Sequence, residues 1–150
     1  MNAAPTLSEL PLVDAAVPRS ASFREAAQVL CASGLSAIAV IDERRRVVGL
    51  FTEDDFIAGL FPGYLAELYH TAFAPEQLAA TARARETAEE PVERHMREPI
   101  LVEVDSSMLH AAEVFLHCEW GALAVVESER FVGMLAQVEF CRRLLPALEF

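Results

Sequence analysis

The chain carries one segment twice. Residues 37–56 read AIAVIDERRRVVGLFTEDDF, and residues 122–140 read ALAVVESERFVGMLAQVEF. Ala37, Ala39 and Val40 match Ala122, Ala124 and Val125, while Arg46, Val48, Gly49 and Phe56 match Arg130, Val132, Gly133 and Phe140. In each copy two apolar runs flank a short charged tip, the pattern of a β-hairpin. The first hairpin leads into Thr52-Glu53-Asp54-Asp55, which reads as a helix start with Thr52 as N-cap and Asp55 at the third helical position. The copies lie about 85 residues apart and there are two of them, which implies two units packed on each other and not an array.

The likeness extends outward from the hairpins. Ser22 opens a helix over SFREAAQVLCASG, with Glu25 as capping-box partner and Gly34 as its stop. Its apolar face comprises Phe23, Ala26, Ala27, Leu30 and Cys31. Ser107 caps SMLHAAEVFLHCEW, with Met108, Ala111, Ala112, Phe115 and Leu116 directed inward. Short strands precede both helices, at Ala15–Val17, stopped by Pro18, and at Ile100–Val104. Helices over Thr52–Leu60 and Ala136–Leu145 close the copies. The fold class is therefore α/β (α+β), built from two β-α-β-β-α repeats related by pseudo-two-fold symmetry. A helix joining two strands of one sheet implies a parallel pair, and the hairpin adds an antiparallel neighbour. One three-stranded sheet cannot bury both faces, but two such units packed together can. The expected division is a first repeat over 8–62, a connector over 63–90 and a second repeat over 91–150. The connector, rich in Ala, Glu and Arg, is expected to be helical, with a disordered linker as the alternative.

Composition narrows the function classes. With 53% hydrophobic residues and a mean hydropathy of +0.27, the chain has ample material for a core. No apolar run reaches the roughly 20 residues that span a bilayer, and the first residues lack a basic start followed by an apolar block. A cytoplasmic protein is expected. The net charge of −11 argues against nucleic acid and anionic membrane surfaces as partners. Basic spots at Arg44–Arg46 and at Arg94, His95 and Arg97 are readable as solvated charge or as a seat for one phosphorylated small molecule. The three cysteines form no C-x-x-C, and Cys31 and Cys118 are expected to be buried in helices. His110 and His117 are seven residues apart on one helix, which does not make a metal pair, so no metal ligands are assigned. No nucleophile elbow, P-loop or Ser/His/Asp grouping is present, and no catalytic residue is assigned. Trp120, at a helix-to-strand junction, reads as a core or interface anchor.

The helix–hairpin–helix order, its duplication, and Gly49-x-x-Thr52-x-x-Asp55 at the second helix together resemble a tandem pair of CBS domains, the Bateman module. The lead-in segments Val13–Val17 and Val92–Met96 fit as well. Two departures stand out. Ala39 and Ala124 occupy positions where family members often carry proline, and the second copy reads Gly133-x-x-Ala136-x-x-Glu139. The resemblance implies adenosine-containing ligands, such as AMP, ADP, ATP or S-adenosylmethionine, in the cleft between the copies, with no cofactor required. It assigns Thr52 and Asp55 to one site, with a base pocket built around Ile100–Val102, which includes Ile100 and Val102, and around Gly121 and Ala122. It assigns Glu139 to a weaker second site, with a base pocket near Val17, Ser36, Ala37 and Ile38. A carboxylate accepts both donors of a ribose diol, and a helix N-terminus favours negative charge. The same Thr52-x-x-Asp55 is also an ordinary capping box, so that reading stays open. The expected function is a non-catalytic regulatory module, a homodimer that reports ligand occupancy to an effector protein. The alternative is a ligand-free dimerisation scaffold using Phe56, Ile57, Phe140 and Leu144.

Overall fold

The structure, a computed structural model, describes residues 6–61 and 84–149. Strands β1 (Ala16–Pro18), β2 (Ala37–Ile41) and β3 (Val47–Thr52) form one sheet in that order; β4 (Leu101–Glu103), β5 (Ala122–Glu127) and β6 (Arg130–Ala136) form the other. In both, the first two strands are parallel and the last two are an antiparallel hairpin. Helices α1 (Phe23–Ser33) and α3 (Met108–Leu116) make the crossovers, and α2 (Glu53–Leu60) and α4 (Gln137–Leu144) come after the hairpins. The duplication in the sequence is thus a duplication of a mixed α/β unit.

Local chemistry sets the element boundaries. Ser22 Oγ accepts from the Glu25 N–H at 3.1 Å to start α1, and Gly34 ends it with a φ of 72° in the left-handed region. Ser107 Oγ caps α3 in the same way, accepting from the His110 N–H at 3.1 Å. At the first hairpin tip Asp42 Oδ1 accepts from the N–H groups of Arg44 and Arg46, each at 2.9 Å. The second hairpin is one residue shorter between its equivalent pairs, Val125–Gly133 against Val40–Gly49, and at its tip Ser128 and Glu129 both take positive φ, as a two-residue hairpin turn demands.

Several expectations shift. Pro18 belongs to β1, which proline tolerates because β1 is an edge strand. Cys31 is exposed and Leu116 is 84% exposed. Each directly succeeds the residue that faces the core, Leu30 and Phe115, and a helix turns the next side chain about 100° away. The connector expected over 63–90 lies outside the described residues as far as 83. Beyond it, residues 84–87 make a helical turn, and the chain then docks on α1, where the Phe23 N–H donates to the Glu90 carbonyl at 2.8 Å.

One hydrophobic cluster runs through both repeats, joining Ala37, Ala39, Leu50 and Phe51 to Ala122, Ala124 and Met134. Ala39 and Ala124 are fully buried in this cluster, and β2 meets β5. Phe23 from α1 packs edge-on against Phe51, with ring centroids 5.4 Å apart. A second cluster joins Leu123, Leu135 and Phe140 of the second repeat to Leu7 and Leu10 of the N-terminal segment.

The repeats also exchange backbone. The N–H and C=O of Arg97 pair with those of Leu50 on β3, both at 2.9 Å. Val13 pairs in the same way with Met134 on β6, at 2.9 and 2.7 Å. Each hairpin's outer edge is thereby bridged by the lead-in segment of the other repeat. This explains the repeated glycine. A Cβ at Gly49 would come within 2.4 Å of Met96 Sδ, and one at Gly133 within 2.7 Å of Leu12 Cβ. Gly49→Ala and Gly133→Ala are each expected to cost about 1–3 kcal/mol, read as a lower urea midpoint at unchanged m-value. At Gly121 the nearest atom to a Cβ is Ser36 Oγ at 3.4 Å, and Gly121→Ala should stay within about 0.5 kcal/mol of wild type.

Hydrogen bonding from the Arg46 amide holds the Asp42 carboxyl below the usual carboxylate range, against burial that pushes it up; the Arg44 amide and the Arg46 guanidinium add to the lowering. A carboxyl depressed in the folded state contributes stability that is full above about pH 4 and is lost as the pH falls through its folded-state pKa. The stability gap between wild type and Asp42→Asn, measured by denaturant titration, should therefore shrink on acidification below about pH 4.

Candidate functional site

Thr52 ends β3 and caps α2. Its extended backbone lets Oγ1 accept from the Asp55 N–H at 3.2 Å, while Asp55 Oδ2 accepts from the Thr52 N–H at 3.0 Å and the Thr52 hydroxyl at 2.9 Å. This is a complete capping box, and burial of Thr52 fixes it in place.

The other repeat completes the arrangement. Arg97, anchored by its backbone to Leu50, sends its guanidinium to Asp55, with Nε 3.0 Å from Oδ2 and Nη2 2.8 Å from Oδ1. Asp55 thus accepts four hydrogen bonds, about the capacity of a carboxylate. The guanidinium lies 4.9 Å over the ring of Trp120, which comes just after α3. The two side chains are 13% (Asp55) and 30% (Arg97) exposed, so the pair is partly screened from water. Its hydrogen bonds to Asp55 raise the Arg97 guanidinium above its ordinary value against a smaller opposing effect of burial, and Asp55, Asp54 and Glu119 add their charge. Arg97 is charged wherever the protein is folded. The Cys118 thiol donates to the Trp120 carbonyl, and Trp120 Nε1 is buried with no hydrogen-bond partner among the described residues.

The structure gathers some of the expected site residues and separates others. Gly121 and Ser36 meet where the repeats join, and both line an apolar cavity of about 590 Å³ with Glu53, Phe56, Ile57, Ala136 and Val138 among its walls. Ala122, Val102, Val17, Ala37 and Ile38 are buried in the core, and Ile100 packs against the second cluster. Of the expected base-pocket residues, Gly121 and Ser36 therefore border this cavity, whereas Asp55 faces Arg97. At the second site Ala136 offers α4 no side-chain cap, and Glu139 is paired with Arg142 beside Glu9, Leu10, Pro11 and Arg143.

The motif does not single out Arg97, which stands in the sequence among the surface basic spots. The signal for it is positional. Val13 and Arg97 occupy equivalent places, opposite Met134 and Leu50. The same bridge therefore sets a valine opposite Met134 and an arginine opposite Leu50, and the arginine's guanidinium reaches a helix start. Among the described residues, no three His, Cys, Asp or Glu side chains converge as metal ligands, and no helix is long and apolar enough to cross a membrane. A double-mutant cycle of Asp55→Asn and Arg97→Gln, read by urea denaturation, is expected to show a coupling of about 1 kcal/mol; additivity within about 0.3 kcal/mol would contradict the pairing.

Comparison with known proteins agrees with this architecture. No curated protein matches the chain by sequence. Among solved structures, the CBS-pair protein CBSX2 from Arabidopsis thaliana superposes with a TM-score of 0.74 at 18% identity, over 99% of each chain. A structure of CBSX2 in complex with AMP gives 0.67 at 19% identity, covering 96% of this chain and 98% of that one. A putative acetoin utilization protein (AcuB) from Vibrio cholerae gives 0.71 at 14% identity, covering 98% and 95%. At such identities the likeness is one of fold. The model of the CBS domain matches residues 7–61 and again residues 92–145. With the duplicated β-α-β-β-α unit, its crossed lead-in segments and these two matches, the chain belongs to the CBS-domain family as a tandem pair.

Proposed function

We propose that the chain is a non-catalytic regulatory module. Its repeats, 8–62 and 91–150 on either side of the 63–90 connector, bind an adenosine-containing ligand between them and report occupancy to an effector protein. The observation that carries this reading is the Asp55 carboxylate, set at the α2 N-terminus against the other repeat and accepting two adjacent donors from one planar group. A ribose diol presents the same demand, two neighbouring donors to one acceptor pair. The AMP carried by a protein of the same fold supports the ligand class. The candidates are AMP, ADP, ATP and S-adenosylmethionine. Ligand would enter in exchange for Arg97, and the exchange would favour one arrangement of the repeats over another. The second site, with Ala136 in place of a hydroxyl and Glu139 held by Arg142, is the weaker one.

A panel of these ligands in thermal unfolding tests the reading. A ligand at 100 times its Kd should add about 2.7 kcal/mol of stability. Asp55→Ala should abolish the shift relative to its own baseline, and Glu139→Ala should keep it. Equal loss in both variants would overturn the ranking of the sites.

A second reading, the dimerisation scaffold, is favoured by Ile57 and Val138, which are 56% and 55% exposed and flank the apolar cavity. Under it Ile57→Asp should turn a dimer into a monomer in sedimentation equilibrium, and no ligand of the panel should shift the melting temperature.

A further inference from the structure

A ligand that takes Asp55 must displace Arg97, and the cost of that displacement depends on the ligand's charge. Arg97 is paired with Asp55, feels the charge of Asp54 and Glu119, and has its guanidinium carbon 4.9 Å over the Trp120 ring. A neutral nucleoside would replace the two bonds from the guanidinium by two from uncharged hydroxyls and take from Arg97 its bidentate partner, leaving it only the charge of Asp54 and Glu119. S-Adenosylmethionine offers the guanidinium one carboxylate, but it brings a sulfonium and an ammonium as well, a net positive charge beside the displaced Arg97. A phosphate-bearing ligand restores both halves of the broken pair. Its diol satisfies Asp55, and its phosphate gives the guanidinium fork a new bidentate partner. Without Arg97 the same phosphate would meet Asp54 and Glu119 unshielded.

Resting on the reading of Asp55 as the ribose acceptor, we infer that Arg97 is the specificity determinant of this cleft: it admits phosphate-bearing adenosine ligands in preference to the neutral nucleoside and to S-adenosylmethionine. Trp120 reports the exchange, because it is the single tryptophan of the chain and Arg97 lies on its ring.

The test is calorimetric titration of the full chain with AMP, adenosine and S-adenosylmethionine, in wild type, Arg97→Gln and Arg97→Lys. Wild type should prefer AMP over adenosine by about tenfold or more, the difference between charged and neutral hydrogen-bond partners. Arg97→Gln should lose about tenfold of that ratio, with AMP weakened and adenosine tightened, and Arg97→Lys should keep most of it because it keeps the charge. AMP should change Trp120 emission in wild type and leave it nearly unchanged in Arg97→Gln. An AMP-to-adenosine ratio that stays within twofold of wild type in Arg97→Gln overturns the inference and leaves the ligand site standing. Failure of folded wild type and folded Arg97→Gln to bind any of the three overturns both. Should Arg97→Gln not fold, equal affinity of wild type for AMP and adenosine overturns the inference alone.

Discussion

The structure depends on the exchange of backbone between its halves. Each hairpin ends in an edge whose N–H and C=O groups would otherwise face solvent, and each edge is partnered by a segment of the other repeat, at Leu50 with Arg97 and at Met134 with Val13. An unpaired strand edge is both a lost set of hydrogen bonds and a template for aggregation. The glycines opposite these segments, Gly49 and Gly133, are the local requirement for the close approach. Neither repeat is complete alone, so the register of the two halves is set by directional bonds as well as by the shared apolar cluster.

That register produces the difference between the two helix starts. The bridge places equivalent positions, 97 and 13, opposite Leu50 and Met134. At α2 it brings a guanidinium to a carboxylate that already closes a capping box; the equivalent position in the other repeat is a valine, and α4 begins at an alanine with no side-chain cap. The missing cap at Ala136 shows that the fold does not require Thr-x-x-Asp at both helices, since a lost cap costs about 1 kcal/mol. Thr52 and Asp55 therefore do more than start a helix. They present a partly buried carboxylate, with all four of its hydrogen bonds made, to the Arg97 of the other repeat.

Much of this is legible in the residues. The hairpins, the capped helices and the parallel crossover come from periodicity, from Ser22, Thr52 and Ser107, and from Gly34, because these are local effects. Faces are harder. Cys31 and Leu116 are expected inside but lie one position beyond the residues that meet the core. At short helices a one-residue difference in phase is enough to move a side chain into water. Arg97 reads as solvated charge or as part of a phosphate seat, and neither reading names its partner, which lies 42 residues earlier. The expected base-pocket residues Ala122, Val102, Ala37 and Ile38 belong to the core, since an apolar strand residue facing a second sheet is worth more buried than lining an open cleft.

By itself, the sequence determined the duplicated unit, its element order and the presence of a carboxylate at one helix start, since spacing and capping act over a few residues. Only the tertiary structure decided that Asp55 meets Arg97 over Trp120, that Ser36 and Gly121 share one cavity, and that the two helix starts differ in what faces them. Those contacts join residues far apart in the chain, and their geometry exists only once the crossed segments have fixed one repeat against the other.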